Sequence, residues 1–312
     1  MRLAIIDLGT NTFNLLIADI NERGKFNILF HDKISVKLGE GGINSNQILP
    51  VPFQRGIDAI GLHLESILKY KTETIQAFAT SAIRSALNGA DFVTAVKEKF
   101  GIHIQVIDGN REAELIYEGV KMGVKMDDSN SLIMDIGGGS TEFIIANSEK
   151  YLWKHSFDLG AARLLEKFKP HDPILETEIV SFENYFDAQL APLKEAVAHF
   201  GITELIGSSG SFDTFAEMIC HKFYSPINLT QQTSYDFSLN DFYNIHAQLL
   251  KSDKEERLAT PGIIEMRVDM IVVSTIFTNY ILQKFKLSKM RLSTYALKEG
   301  VIAQMIKTQV TN

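Results

Sequence analysis

The sequence predicts an α/β protein built from two similar halves that face each other across a cleft. The first observation behind this is a duplication. Residues 133–146 read Ile-Met-Asp-Ile-Gly-Gly-Gly-Ser-Thr-Glu-Phe-Ile-Ile-Ala, and residues 5–18 read Ile-Ile-Asp-Leu-Gly-Thr-Asn-Thr-Phe-Asn-Leu-Leu-Ile-Ala, so the two align without a gap. Asp7 then matches Asp135, Gly9 matches Gly137, and Thr12 matches Ser140. The second observation is length: 312 residues exceed one ordinary core and suit two domains of about 150 residues each.

Each copy is an apolar run, an Asp-x-Gly turn and a second apolar run, the pattern of two strands joined by a tight loop. In the second copy Gly137, Gly138 and Gly139 let successive backbone N–H groups point at one anion with no side chain in the way. The hydroxyls of Ser140 and Thr141 add donors, and Gly9, Thr10, Asn11 and Thr12 form the equivalent turn in the first copy. Asp7 and Asp135 stand at the loop edges, where a carboxylate suits a divalent cation that neutralises phosphate oxygens. A single loop of this kind is more often a plain hairpin turn. The repetition argues for a paired phosphate site.

Composition narrows the partners. A hydrophobic content of 45% with 22% charged residues is ordinary for a globular chain. A net charge of −7 argues against a general nucleic-acid or membrane-surface binder, so the positive surroundings of any polyanionic substrate must be local. The one cysteine, Cys220, allows no disulfide within the chain and is expected to fill core. The N-terminal apolar run is cut by Asp7 before it reaches signal-peptide length. The run 270–282 is too short to span a bilayer, and a reducing cytoplasm is expected. The eight histidines show no His-x-x-x-His spacing, which gives zinc hydrolysis no support.

Strands are expected at 3–7, 14–20 and 26–38 as an antiparallel meander. A helix over 51–70 places Ile57, Ile60, Leu64, Ile67 and Leu68 on one face. A strand at 74–79 ends in Thr80 and Ser81, good caps for the helix that carries Arg84. A helix over 91–100 stops at Gly101, a strand covers 102–107, and a helix over 110–121 opens with Arg111, Glu112 and Glu114. The first domain is expected to span 1–125 and the second 126–312. The second continues with a strand at 151–159, a helix over 160–168 with Arg163, and long helical character over 174–200. A strand at 204–206 follows and runs into Gly207, Ser208, Ser209 and Gly210, with Ser211 as a helix cap. Residues 212–251 read as mainly helical with a loop near 225–234. Pro261 and Gly262 break the segment 254–285, a last strand covers 290–297, and a closing helix over 298–310 is expected to pack back on the first domain.

Beyond the loops, several motifs occur in order: Lys-Leu-Gly-Glu-Gly at 37–41, Ala-Thr-Ser-Ala-Ile-Arg at 79–84 with Asn88, Gly-Asn-Arg-Glu-Ala-Glu-Leu-Ile-Tyr at 109–117, and Gly-Ser-Ser-Gly at 207–210. With the two loops they resemble the exopolyphosphatase and guanosine pentaphosphate phosphohydrolase (Ppx/GppA) family. It is part of the actin, sugar kinase and Hsp70 superfamily of paired ribonuclease-H-like domains. The resemblance implies metal-assisted hydrolysis of a terminal phosphoanhydride. Asp7 and Asp135 would position Mg²⁺ or another divalent cation, Glu142 would assist metal or water, and Glu112 would be the general base. On residues alone, acidic groups in a first helical turn serve the helix dipole. Arg84 reads equally as a partner of a nearby carboxylate and as a phosphate contact, and the resemblance favours the second. The loop at Gly207, Ser208, Ser209 and Gly210 would lie against a nucleotide or the distal phosphates.

Two departures stand out. Arg111 replaces a glutamate of the family motif and is expected to lower the pKa of Glu112. Ala296 and Lys298 replace a glycine and an arginine near the last strand, which weakens any substrate contact assigned there. Longer relatives carry further helical domains, which this chain is expected to lack. Inorganic polyphosphate is the expected substrate. Guanosine pentaphosphate hydrolysis, a superfamily kinase and a non-catalytic polyphosphate or alarmone sensor are the alternatives. Lys37, Arg111, Arg163, Arg257, Arg267 and Lys298 are candidates for a thin cationic path, with weak retention of the polymer unless a homodimer lengthens the groove.

Overall fold

Both copies of the duplicated stretch fold as antiparallel hairpins. In the first, β1 (Arg2–Leu8) pairs with β2 (Thr12–Ile20), setting Asp7 opposite Asn14. In the second, β6 (Ser131–Ile136) pairs with β7 (Thr141–Ala146), setting Asp135 opposite Glu142. The structure is a computed structural model that describes residues 1–226 and 228–311, with only the backbone of residues 230 and 309–311. Ile227, in the loop expected near 225–234, lies outside the described residues.

The first sheet is completed by β3 (Phe26–Ser35), β4 (Thr74–Ala79) and β5 (Ile104–Val106), in the order β3-β2-β1-β4-β5 with β1, β4 and β5 parallel. Helices α1 (Pro50–Lys69), α2 (Ser81–Ser85) and α3 (Gly89–Phe100) belong to this lobe. Phe13, Ile57, Ile60 and Phe92 share its core. Leu68 is 68% exposed, so the apolar face of α1 ends at Ile67. Neither Thr80 nor Ser81 caps α2: the Thr80 hydroxyl turns back to the Leu8 carbonyl instead.

Helix α4 (Gly109–Gly123) leads from the first sheet to the second. The second sheet adds β8 (Tyr151–Phe157), then β9 (Glu204–Ser208) after α5 (Ala161–Phe168), α6 (Glu176–Gln189) and α7 (Ala191–Phe200). The helical stretch expected over 174–200 is thus two helices, broken at Leu190 where Pro192 enters the first turn of α7. After α8 (Gly210–Phe223) the short strand β10 (Ser234–Phe237) interrupts what reads as helix, before α9 (Leu239–Lys251), α10 (Lys254–Ala259) and α11 (Ile271–Lys284). Strand β11 (Met290–Ser293) is half the expected length, because the chain leaves the sheet at 294–296 and enters α12 (Leu297–Thr311). The sheet order is β10-β11-β9-β6-β7-β8. Reversed, β8-β7-β6-β9-β11 repeats the first sheet, antiparallel hairpins followed by parallel neighbours. This is the pair of ribonuclease-H-like domains of the actin-like ATPase fold.

The two sheets are joined by a third core. Ile5 and Leu16 of the first sheet, Ile133 and Ile144 of the second, Ile116 of α4 and Ile302 of α12 share one cluster. Helices α4 and α12 cross at two glycines. A Cβ on Gly119 would stand 1.9 Å from the Ala296 carbonyl oxygen, and one on Gly300 would stand 1.8 Å from that of Leu115. Backbone cannot yield as a side chain can. Gly119→Ala is therefore expected to destabilise the protein by on the order of 1–3 kcal/mol through overpacking. Urea denaturation checks this, and an unchanged midpoint would show that the helices separate freely.

Candidate functional site: a cleft between two phosphate loops

The loops repeat each other in hydrogen bonding as in sequence. The Gly9 N–H donates to the Thr12 carbonyl at 3.1 Å, and the Gly137 N–H donates to the Ser140 carbonyl at 3.0 Å. Those two amides close the turns. The carbonyls of Gly137, Gly138 and Gly139 accept from Ala161, Ala162 and Arg163, so they point toward the start of α5. Because each peptide is planar and trans, the amides of Gly138, Gly139 and Ser140 face the opposite way, into the cleft. In the first loop the carbonyl of Thr10 accepts from Gly39, and that of Asn11 accepts from Val36 and Lys37, which turns the amides of Asn11 and Thr12 outward likewise.

The glycines are required for room rather than for a left-handed backbone. A Cβ on Gly139 would lie 2.5 Å from the Thr10 hydroxyl and 2.6 Å from that of Ser81; one on Gly138 would lie 3.2 Å from Cβ of Asn11. The two loops thus abut. Thr10 Oγ1, Asn11 Nδ2 and Ser81 Oγ are buried without a hydrogen-bond partner, three donors gathered where the loops meet. Unmet buried donors cost about 1–3 kcal/mol each, a cost that an anion between the loops removes.

One cleft of about 140 Å³ is bordered by Asp7, Gly9, Thr10, Asn11, Thr12, Glu112, Asp135, Gly137, Gly138, Gly139, Ser140, Ser209 and Gly210. The expectation that both aspartates face one cleft is met. Asp7 Oδ2 accepts from Asn14 Nδ2 at 3.0 Å, and Asp135 Oδ2 accepts from the Ser208 hydroxyl at 2.5 Å. Ser208 therefore orients a carboxylate from behind the cleft wall. Thr141 is fully buried and donates to the Leu159 carbonyl, and Gly207 is covered by the Phe212 ring, so neither borders the cleft. Ser209, not Ser211, stands at the N-terminus of α8; the Ser211 hydroxyl donates to Ser274. Ser209 has φ +69°, ψ 172°, a region that otherwise admits only glycine and stores about 1–3 kcal/mol of strain.

Glu112 is 7% exposed, and Arg84 Nη1 donates to its Oε2 at 2.8 Å and to the Ile107 carbonyl at 3.0 Å. The reading of Arg84 as a carboxylate's partner is therefore the one the geometry displays. Arg111 does not act on Glu112: it is held by Glu114 and Gln304. The expected fall in the Glu112 pKa is reversed. Burial, then the charge of Glu142, pushes Glu112 well above the usual carboxylate range, and the Arg84 guanidinium only moderates this. Glu142 accepts from the hydroxyls of Ser140 (2.8 Å) and Ser156 (2.6 Å), so the Ser140 hydroxyl is spent on it. Burial, then Asp135, raises Glu142 to about 7; burial raises Asp135 to about 6 and also raises Asp7.

The expected cationic path shrinks. Arg163 holds the carbonyls of Gly139 and Ile43, Arg257 holds those of Val268 and Ser252, and Lys37 faces Asp269 at 3.6 Å. Arg267 and Lys298 do border the cleft, joined by Lys33 and Asp213. Sequence reasoning missed Ser81, Asn14, Lys33 and Asp213. Ser81 lay inside a recognised motif and was assigned to a helix cap; Lys33 and Asp213 carry no local signal.

The fold, with its cleft between two glycine-bearing loops, defines a two-lobed protein of the actin-like ATPase class. The chain belongs to the Ppx/GppA phosphatase family, whose sequence model matches residues 16–309. The crystal structure of an exopolyphosphatase from Cytophaga hutchinsonii is similar at 43% identity and a TM-score of 0.96, covering 99% of this chain and 98% of that one. A putative exopolyphosphatase of Haemophilus influenzae is 28% identical, over 98% of this chain and 92% of its own length. The Aquifex aeolicus family member shares the fold at 24% identity and a TM-score of 0.82, covering 99% of this chain and 98% of its own.

The buried carboxylates make a sign prediction. Glu142 keeps its proton in the folded chain up to about pH 7, whereas the unfolded chain releases it near about 4.3, the ordinary glutamate value. Across that window the folded state binds more protons, so this residue costs stability as pH rises. Glu142→Gln, without divalent cations, is thus expected to gain in stability relative to wild type between pH 5 and pH 8. A difference that is constant or moves the other way in denaturation curves at the two pH values would contradict the assignment.

Proposed function

We propose that the protein removes the terminal phosphate of inorganic polyphosphate by hydrolysis. The observation that carries this is the pair of abutting loops with three unpartnered buried donors, opposite a buried glutamate held by an arginine. The exopolyphosphatase names of similar proteins favour the same substrate. The terminal phosphate sits between the loops, on the amides of Asn11, Thr12, Gly138, Gly139 and Ser140 and the side chains of Thr10, Asn11 and Ser81. Glu112 accepts the proton of a water whose oxygen bonds to that phosphorus, while the bridging P–O bond breaks and the shortened chain leaves. Arg84 fixes the Glu112 carboxylate, and the charge of Glu142 acts on it.

Asp7 and Asp135 fit a divalent cation. They are close enough that the charge of Asp7 helps to raise Asp135, a repulsion that a cation relieves. Among the described residues no three acidic, histidine or cysteine side chains converge on one point. Two carboxylates with the remaining places left to water and substrate oxygens is the manner of Mg²⁺. When bound, the ion neutralises phosphate oxygens. The reading extends to two working units, residues 1–125 and 126–312, to a cytoplasmic location, and to a homodimer that lengthens the groove. Among the described residues no helix is long and apolar enough to cross a membrane.

Phosphate release from polyphosphate, guanosine pentaphosphate and ATP, with Mg²⁺ and with a chelator, tests the function. Release is expected to be fastest from polyphosphate and lost with chelation; faster cleavage of guanosine pentaphosphate at equal concentration would overturn the substrate. In the same assay Glu112→Gln is expected to lower kcat by about 10²- to 10⁴-fold while binding persists, as for loss of a positioned base. Wild-type turnover in this variant would remove Glu112 from the role.

With Arg111, Arg163 and Arg257 tied to protein groups, little is left to hold a long polymer between cuts. Partial digestion of long polyphosphate, resolved by size, is expected to give a continuous ladder. Full-length chains beside free phosphate, with nothing between, would contradict weak retention.

A further inference from the structure

The phosphate cleft opens past Lys33, Asp213, Arg267 and Lys298 into a recess of about 500 Å³, and these four residues border both spaces. Lys33 comes from β3, the edge strand of the first sheet. Asp213 comes from the first turn of α8, Arg267 from a short turn before α11, and Lys298 from the first turn of α12. Lys33 Nζ stands 3.7 Å from Asp213 Oδ2, so the pair bridges the two lobes. The Arg267 guanidinium lies over Gly210, where a Cβ would come within 2.0 Å of it. Burial raises the Asp213 pKa, and the charges of Lys33, Arg267 and Lys298 act against that rise. At the mouth Asp213 thus sits among three cations, Lys33, Arg267 and Lys298.

Beyond this mouth the sign reverses. Asp32, Glu217 and Glu299 border the recess together with apolar Leu29, Phe30 and Tyr295. A polyanion with its last phosphate between the loops therefore finds its favourable positive charge at the mouth and not further in. There it meets Asp213, which competes for Lys33 and repels every phosphate that the cations attract.

We propose that Asp213 is a specificity-determining residue: seated among Lys33, Arg267 and Lys298, it limits how tightly the phosphates behind the cleaved one are held and so sets KM for the chain. The inference rests on the proposed hydrolysis of polyphosphate at this cleft. A purely structural role, a lobe-to-lobe tie to Lys33, makes the opposite prediction, since losing a tie weakens folding or binding and does not tighten it.

The test compares Asp213→Asn and Asp213→Glu with wild type in phosphate release from tripolyphosphate and longer polyphosphate, with pyrophosphate as a competing ligand too short to fill the mouth. Asp213→Asn is expected to lower KM about fivefold, the scale of one partly screened charge, with kcat within about twofold. Asp213→Glu keeps the wild-type KM, and pyrophosphate inhibition shifts much less than KM. A raised or unchanged KM in Asp213→Asn, or an equal shift for pyrophosphate, overturns the proposal. Should wild type release no phosphate, the hydrolysis fails separately, and calorimetry of tripolyphosphate binding still decides Asp213: tighter binding by Asp213→Asn supports it, equal or weaker binding overturns it. Should Asp213→Asn not fold, Lys33→Gln is the second variant; it is expected to raise KM with kcat kept, and an unchanged KM overturns the proposal.

Discussion

The structure depends on the close approach of two glycine-bearing loops from different sheets. Gly138 and Gly139 press against Thr10, Asn11 and Ser81 at distances that admit no side chain. Behind them Gly160 packs so tightly that a Cβ would lie 2.4 Å from the Gly138 carbonyl. The second loop is therefore fixed from the rear by α5 and from the front by the other lobe. Its carbonyls are committed to α5, and that commitment aims its amides at the cleft. The inward aim of these amides is a consequence of how the loop is tied down, and the orphaned donors of Thr10, Asn11 and Ser81 stand where the two loops meet.

Carboxylates supply the second constraint. Burial raises the pKa of Asp7, Glu112, Asp135 and Glu142, and neighbouring carboxylates add to the rise in Glu112, Asp135 and Glu142, with Arg84 the cation at hydrogen-bond distance from Glu112. Gathering like charges under partial burial is unfavourable unless protons or a cation intervene. Hydroxyls and an amide from Ser140, Ser156, Ser208 and Asn14 orient the group without adding charge. Protons or a bound cation would relieve this crowding of like charge.

What was legible in the sequence follows from what is local. The hairpins were readable because each is a continuous run, and their repetition at a fixed offset made the two lobes readable as well. Asp7 and Asp135 came with them. Arg84 was found, but its partner Glu112 lies 28 residues on, and only the fold shows that the two meet. Lys33, on an edge strand of alternating exposure, is indistinguishable in sequence from a solvated lysine, and Asp213 looks like an ordinary first-turn acid. The elements misread were short or interrupted. β10 is a four-residue strand inside a helical region, and Pro192 restarts a helix whose periodicity runs on across it. Leu68 continues a helical stripe in sequence but stands exposed.

The crossing of α4 and α12 ties these constraints together. Both helices begin at the cleft, α4 contributing Glu112 and α12 contributing Lys298 from their first turns. A lysine at a helix N-terminus opposes the helix dipole and is disfavoured there. Lys298 nevertheless has a raised pKa against its burial, because Glu299, Asp7, Asp213 and Asp135 surround it. The carboxylates hold the lysine where an isolated helix would reject it. The glycine contact between Gly119 and Gly300 then sets its distance from Glu112. The substitution of lysine for the arginine of the family motif thus keeps a cation at the cleft: a compact ammonium among four acids remains charged, and it forfeits only the forked geometry that a guanidinium supplies.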